Sequence, residues 1–397
     1  MRRGSAFEVL RAFFVLGVSS FGGPVAHLGY FRKAFVEERG WLSAEDFGAI
    51  ISLCQFLPGP ASSQAGLCIG VKRAGLLGGL AAWLGFTLPS ALLMVLAALL
   101  DQRLSAYPVM HDVVHGLQLA AVAVVAQAVY QMAITLCPDT PRRALALLAA
   151  AILALLPNTA GQLTVLLIGG AIGWLALDDS TLVRHREKRR LAREFDEPGA
   201  APRGHGAALI CLALFVGLLG LAFAVPRTGL VGLAASFYRS GALVFGGGHV
   251  VLPLLRDAVV VPGMISPQLF LAGYGVAQAM PGPLFTVAAF LGQVIDGPVG
   301  AVVALLAIFA PGLLLVAGAL PYWEVWRQRS HISAVVKGLN AAVVGLLGAA
   351  LVNLFTLSTV QGPWDFPVII GALTLLTMGK ARPILVVLFC AGAGALF

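Results

Sequence analysis

Charge is scarce in this 397-residue chain. Only 11% of the residues are Asp, Glu, Lys or Arg, and 59% are apolar, whereas soluble domains carry about 25% charged residues. The shortage excludes an ordinary soluble protein and marks an integral membrane protein. Cysteine is sparse as well. Cys54, Cys68, Cys137, Cys211 and Cys390 are scattered and odd in number, so they indicate neither a disulfide framework nor a metal site and read as packing residues. The ten-residue alternation of an outer-membrane barrel is missing, and so is the GxSxG motif of a serine nucleophile. Met1-Arg2-Arg3 is followed by Glu8 and Arg11 without a small-residue cleavage site, so no cleavable signal peptide is expected. The net charge of +8 lies mainly in short loops and one linker, without aromatic interleaving; it is a topology signal rather than a nucleic-acid surface. No cofactor is expected. No carboxylate sits deep in an apolar run: Glu8, Glu45, Asp46, Asp101, Asp257 and Asp296 all lie near segment ends. Proton-coupled carriers often place an acid there, so coupling is left to a histidine, to the substrate's own proton, or to nothing.

What is abundant is apolar sequence in long runs. Ala74–Leu100, Val113–Leu136 and Ile332–Leu357 each suffice to cross a hydrocarbon core roughly 30 Å thick at about 1.5 Å per residue. Thirteen segments emerge, at 7–29, 43–71, 74–100, 113–136, 142–156, 161–177, 206–225, 227–248, 267–295, 298–320, 332–357, 366–378 and 381–397. The stretch 178–205 holds seven Arg/Lys and six Asp/Glu, and ends Pro/Gly-rich. The expected organisation is an all-α polytopic membrane protein, with a first transmembrane repeat (1–177), a charged cytoplasmic linker (178–205), a connecting helix (206–225) and a second repeat (226–397).

The two flanks of the linker are copies. At an offset of 224, Phe13, Gly17, Phe21, Gly22, Gly23 and Arg32 match Phe237, Gly241, Phe245, Gly246, Gly247 and Arg256. At 223, Ser43, Phe47, Gln55, Pro58, Gly59 and Pro60 match Ser266, Phe270, Gln278, Pro281, Gly282 and Pro283. At 222, Gly75, Gly78, Pro89 and Leu117 match Gly297, Gly300, Pro311 and Leu339. Six crossings per copy with one helix between them turn the second copy upside down. Positive-inside counting agrees, except that Arg32, Lys33 and Arg39 land outside. The alternative makes 43–71 and 267–295 re-entrant hairpins, which changes the count and puts the N-terminus outside.

Each copy carries a Pro-Gly-Pro break, Pro58-Gly59-Pro60 and Pro281-Gly282-Pro283. Proline stops a helix and suits the start of the next, so a new N-terminus arises inside the membrane. Its unpaired N–H groups and positive dipole end favour an anion. In the inverted topology two such ends face each other, and inverted repeats with broken helices are a recurring design of secondary transporters. Gln55, Ser62 and Ser63 from one copy, and Gln278 and Thr286 from the other, are the candidate side-chain ligands. The Gly-rich breaks at Gly22-Gly23 and Gly246-Gly247 expose backbone beside them. Packing is the competing explanation, since Pro and Gly also kink helices and permit close approach.

Other polar residues carry weaker signals. His27 and His249 lie at the Gly-rich breaks and are candidates for coupling or anion binding. Arg32 and Arg256 align and suit anion attraction at the two mouths, or snorkelling to the interface. Arg239, deep in 227–248 and without a counterpart, is a candidate by location alone.

The stretches "FFVLGVSSFGGPVAHLGYFRKAFVEERGWLS", "QFLPGPASSQ", "FGGGHVVLPLL" and "AQAMPGP" resemble the chromate ion transporter family in its long, two-repeat form. The resemblance implies export of chromate from the cytoplasm across the cell (inner) membrane, driven by membrane potential or proton gradient and giving resistance, with sulfate as structural analogue. A sulfate or other oxyanion carrier is the runner-up, and a homodimer is a possible assembly. An intramembrane enzyme built on Ser19, Ser20, Ser62 or Ser63 with a histidine lacks a nucleophile motif, and a scaffold needs no polar breaks.

Overall fold

Three serines open helices in the same way. The hydroxyls of Ser5, Ser43 and Ser266 accept from the backbone N–H of Glu8, Asp46 and Leu269, at 3.1, 3.0 and 3.3 Å, which satisfies one of the orphan donors at each start. In a computed structural model the described residues are 4–104, 108–177, 205–226, 228–245, 248–323, 330–356, 360, 362–378, 381 and 383–396. The expected linker therefore lies, but for His205, outside them, as do Gly246 and Gly247.

Among these residues the chain is all-helical. The helices are α1 (Ala6–Ser19), α2 (Gly23–Arg32, continued by a π turn Lys33–Glu38), α3 (Ala44–Phe56), α4 (Ala61–Leu104), α5 (Pro108–Leu136), α6 (Thr140–Leu155) and α7 (Thr159–Ala176). Then follow α8 (His205–Ala224), α9 (Gly229–Ala242), α10 (Val251–Leu255, continued by a π turn Arg256–Val260), α11 (Pro267–Ala279), α12 (Val287–Ala319), α13 (Ser330–Thr356), α14 (Asp365–Thr377) and α15 (Pro383–Leu396). Five stretches are long and apolar enough to span a membrane: Ala61–Arg103, Asp112–Leu136, Gly206–Ala224, Leu284–Tyr322 and Ser333–Phe355. Only 11% of the apolar window of α8 is buried in protein, and its all-round apolar surface suits lipid contact.

The 44-residue α4 is not one rod. Ala74 and Gly75 leave helical geometry (φ −141°, ψ 23°; φ 69°, ψ −163°), and α12 breaks in the same way at Asp296 and Gly297 (φ −145°, ψ 33°; φ 61°, ψ −156°). The positive φ is why glycine stands at both second positions. Beyond each break the chain folds back, so that Gly70 meets Gly78 and Gly292 meets Gly300 backbone to backbone.

The segment 43–71 folds back as well. Lys72 Nζ, at the end of the first limb of α4, lies 2.6 Å from Asp46 Oδ1 at the start of α3. The α3–α4 pair is therefore a hairpin with Pro58-Gly59-Pro60 at its tip. In the second half Gly273 of α11 packs on Phe290 of α12 across the equivalent tip. Segment 7–29 with its continuation behaves likewise. Arg73 pairs with Glu8 at 3.0 Å and covers the Trp41 ring at 5.0 Å, so the start of α1 and the chain just past α2 meet at one place. Phe13 stacks on Phe35 between them at 4.7 Å. With α1 and α3 at 14 and 13 residues, each limb reaches about 20 Å.

The halves interlock. Gly116 of α5 abuts the Cys390 carbonyl of α15, and Gly338 of α13 abuts the Gly169 carbonyl of α7. Each half's fifth helix thus packs against the last helix of the other half.

Candidate functional site

Both Pro-Gly-Pro tips end against the opposite half. The Gly59 N–H donates to the Val244 carbonyl at 2.7 Å, and the Gly282 N–H donates to the Ser20 carbonyl at 2.9 Å. Ser20 and Val244 stand two residues before the two Gly-rich stretches in the sequence. Each tip also meets a long helix just past its proline. A Cβ on Gly59 would fall 2.9 Å from the Gly312 Cα, and one on Gly282 would fall 2.8 Å from Ser90 Oγ. Gly59 and Gly282 have φ of +120° and +91°, a region favouring glycine. Each tip therefore docks on the chain of the opposite half, at Val244 or at Ser20, and the two contacts make a junction between the halves.

The polar side chains here are unevenly provided for. Gln64, one position past the sequence candidates, donates through Nε2 to the Pro58 and Gly312 carbonyls at 2.9 and 3.1 Å. Ser62 and Ser63 are buried, and Ser63 Oγ has no hydrogen-bond partner. Gln55 instead faces outward from α3. In the second half Gln278 is half-buried, its Nε2 3.5 Å from His249 Nδ1, and His249 Nδ1 lies 3.2 Å from the Tyr274 hydroxyl. Thr286 commits its hydroxyl proton to the Pro283 carbonyl at 2.8 Å, so it keeps only lone pairs and no donor for an anion. The helices restart at Ala61 and, after the short turn Leu284–Thr286, at Val287. Pro60 and Pro283 thus precede the new helices rather than opening them.

His27 is buried beside the Phe86 ring, with centroids 5.2 Å apart. The seven remaining candidates lie elsewhere or fall in part outside the described residues. Arg32 pairs with Glu37 at 3.5 Å on the exposed π turn, and Arg256 is half-buried in the corresponding turn. Arg239 is buried in α9, donates to Ser236 Oγ at 3.2 Å and covers the Phe223 ring of α8 at 5.5 Å. Gly22 has a φ of +100° and Gly23 of +78°, while their counterparts fall outside the described residues. Asp257, at its segment end as expected, is nonetheless buried, accepting from Gln162 Nε2 of α7 at 2.8 Å.

A cavity of about 510 Å³ opens away from the tips, lined by Asp112, His115, Gln118, Gln268 and Asp365 among others. There His115 Nε2 and Asp365 Oδ1 are 2.8 Å apart. Sequence reading missed Gln64, Tyr274, Thr87 and Ser90; the last adjoins Pro89, one of the repeated prolines, which was the available signal.

A probable chromate transport protein of Synechococcus elongatus is 30% identical over 98% of this chain and 95% of its own length. Chromate transport proteins of Pseudomonas aeruginosa (27%, over 90% of this chain and 82% of its own) and Cupriavidus metallidurans (26%, over 96% and 90%) are similar too. No solved structure matches. The model of the chromate transporter family matches residues 7–174 and 231–395, the two flanks of the linker and α8, and the chain is an integral membrane protein belonging to that family.

Proposed function

We propose that the protein is a secondary transporter that exports chromate across the cell (inner) membrane and so confers resistance, with the anion held at the junction of the two Pro-Gly-Pro tips. The observation that carries this reading is the reciprocal docking of Gly59 on Val244 and Gly282 on Ser20. It brings the start of α4 and the turn Leu284–Thr286 that leads into α12 to the junction, where helix starts present N–H groups and a positive dipole end. Sulfate is the alternative cargo, because such donors read charge and tetrahedral shape and scarcely the central atom.

The topology we infer has the hairpins α1–α2 and α3–α4 entering from the cytoplasmic face and their counterparts from the outer face. The other limbs and helices cross, an even number in each half, and α8 alone between them inverts the second half. Both 7–29 and 43–71 fold back, so the two changes cancel and the N-terminus stays inside. Arg32, Lys33 and Arg39 then join Lys72, Arg73, Arg142 and Arg143 on the cytoplasmic side, which removes the exception to the positive-inside pattern.

With the inside negative, a dianion leaving the cell gains roughly 4.6 kcal/mol per 100 mV, from about 2.3 per charge, enough for a gradient on the order of a thousandfold. Proteoliposomes with a potassium diffusion potential and no pH gradient should move chromate toward the positive side, faster than sulfate. Flux that required a pH gradient and ignored the potential would overturn potential-driven export, and sulfate flux alone would reassign the cargo. Gln278→Glu, which sets a carboxylate beside the dianion, should lower flux at least about tenfold.

A further inference from the structure

Besides Ser63 at the Gly59 tip, three fully buried polar side chains stand near the docked Gly282 tip without a side-chain partner. Ser20 is 0% exposed, His27 1% and Thr87 1%; Ser20 Oγ and Thr87 Oγ1 have no partner, and the His27 ring has none beyond the Ser20 carbonyl that it faces. They are neighbours. The Ser20 carbonyl lies beside the His27 ring and receives the Gly282 N–H. His27 packs edge-on against Phe86, the residue preceding Thr87, and Gly282 sits against the Phe86 carbonyl and Ser90. Buried polar groups are nearly always paired, and each exception needs an explanation. Here polar side chains from the end of α1, from α2 and from α4 border the place where a tip of the other half docks.

Among the described residues, the equivalent place in the second half has no such set. The offsets of 224 and 222 pair Ser20 with Val244 and Thr87 with Phe309, both apolar and buried. The histidine there, His249, engages Tyr274. The vacancy in hydrogen bonding is therefore confined to one half, although the backbone is repeated in both.

We propose that Ser20, His27 and Thr87 form the polar contact face for a tetrahedral oxyanion, two hydroxyls and an imidazole N–H each donating to one of its oxygens. This rests on the oxyanion-transport reading above and assigns its substrate contacts chiefly to the N-terminal half. None of the three is replaceable by an apolar residue of the same shape without losing a donor to the anion.

The test is equilibrium binding of radiolabelled chromate, and separately of sulfate, to the purified full-length protein, with melting temperatures measured alongside. Thr87→Val should raise the Kd about tenfold or more, the loss of one hydrogen bond to a charged group, while Thr87→Ser stays within about threefold of wild type. Ser20→Ala and His27→Asn should weaken binding likewise. Without ligand, Thr87→Val should melt at the same temperature or higher, since it removes an unpaired buried hydroxyl; the rise in melting temperature on adding chromate should shrink. Wild-type affinity in well-folded Thr87→Val and Ser20→Ala would overturn the proposal and leave transport intact. If the wild type binds sulfate only, the chromate reading fails and the same variants decide the proposal with sulfate. Binding of neither anion would overturn both.

Discussion

The two halves place the same backbone around the junction and furnish it differently. In the N-terminal half the residues beside the docked tip are Ser20, His27, Thr87 and Ser90; in the C-terminal half the corresponding residues are Val244, His249, Phe309 and Gly312. Ser90 spends its proton on the Thr87 carbonyl at 3.1 Å, and His249 spends a ring nitrogen on Tyr274, so among the described residues beside the docked tips the unpaired hydroxyls stand on one side. Repetition therefore conserves the architecture of close approach, which depends on glycine, proline and carbonyl oxygens. It does not conserve the side-chain chemistry, and a two-fold scaffold ends with a one-sided polar face.

The largest expected effect separates the two tips. Gly59→Ala sets a Cβ 2.9 Å from the Gly312 Cα, which is backbone, whereas Gly282→Ala meets the Ser90 hydroxyl and, at 3.2 Å, the Phe86 carbonyl. A non-glycine residue at positive φ costs about 1–3 kcal/mol in either case. Because a hydroxyl rotates away and a Cα does not, Gly59→Ala should melt distinctly lower than Gly282→Ala in the same detergent. Equal losses would break this difference between the tips.

Next in size is an exchange of character between the halves. Val244→Thr adds an unpaired hydroxyl at a fully buried site and should destabilise by about 1–3 kcal/mol, opposite in sign to Thr87→Val. Thermal unfolding of the two purified variants reads this directly. If Val244→Thr were neutral, the second half would hold a hydrogen-bond partner for it and the contrast between halves would weaken.

A smaller effect is expected from Tyr274→Phe, which withdraws the hydroxyl 3.2 Å from His249 Nδ1. About 1 kcal/mol should be lost, with Gln278 left as a neighbour. Unchanged melting would mean that His249 is as unpaired as His27. Smallest is Lys72→Met. Both partners of its ion pair with Asp46 are 44% exposed, so no more than about 1 kcal/mol should be lost, less in high salt. Single cysteines at 46 and at 72 should nevertheless react with an impermeant thiol reagent from the cytoplasmic face alike. Labelling from opposite faces would contradict the hairpin.

Much of the framework is legible in the amino-acid sequence because glycine and proline announce themselves. Pro58-Gly59-Pro60 and Pro281-Gly282-Pro283 mark the two tips, Gly75 and Gly297 mark the two sharp reversals, and Ser43 and Ser266 mark two helix starts. The path of the chain between those marks is less legible. An apolar run such as 43–71 has the same composition whether it crosses or doubles back, and the contact that distinguishes the two joins Asp46 to Lys72 across 26 positions. Gln55 was misplaced for a related reason. In a helix apolar on nearly every side, periodicity says nothing about which face turns inward. Thr87 was invisible because its counterpart is Phe309, and a repeat comparison rewards identity, whereas the polar face arises where the copies diverge.

The exchange of packing partners between halves bears on how the protein is made. Residues 116 and 338 are each lodged against a carbonyl of the opposite half, so α5 and α13 acquire their neighbours only when both halves exist. At roughly 5–20 residues per second, more than ten seconds separate insertion of α7 from synthesis of α15. During that interval α5 waits in the bilayer with the groove around Gly116 unfilled, and α1 with Ser20 awaits the tip at Gly282. The N-terminal half is therefore a poor candidate for a stable fragment on its own, and truncation after α7 should yield a protein that quality-control proteases clear, unless the second half is supplied as a separate chain.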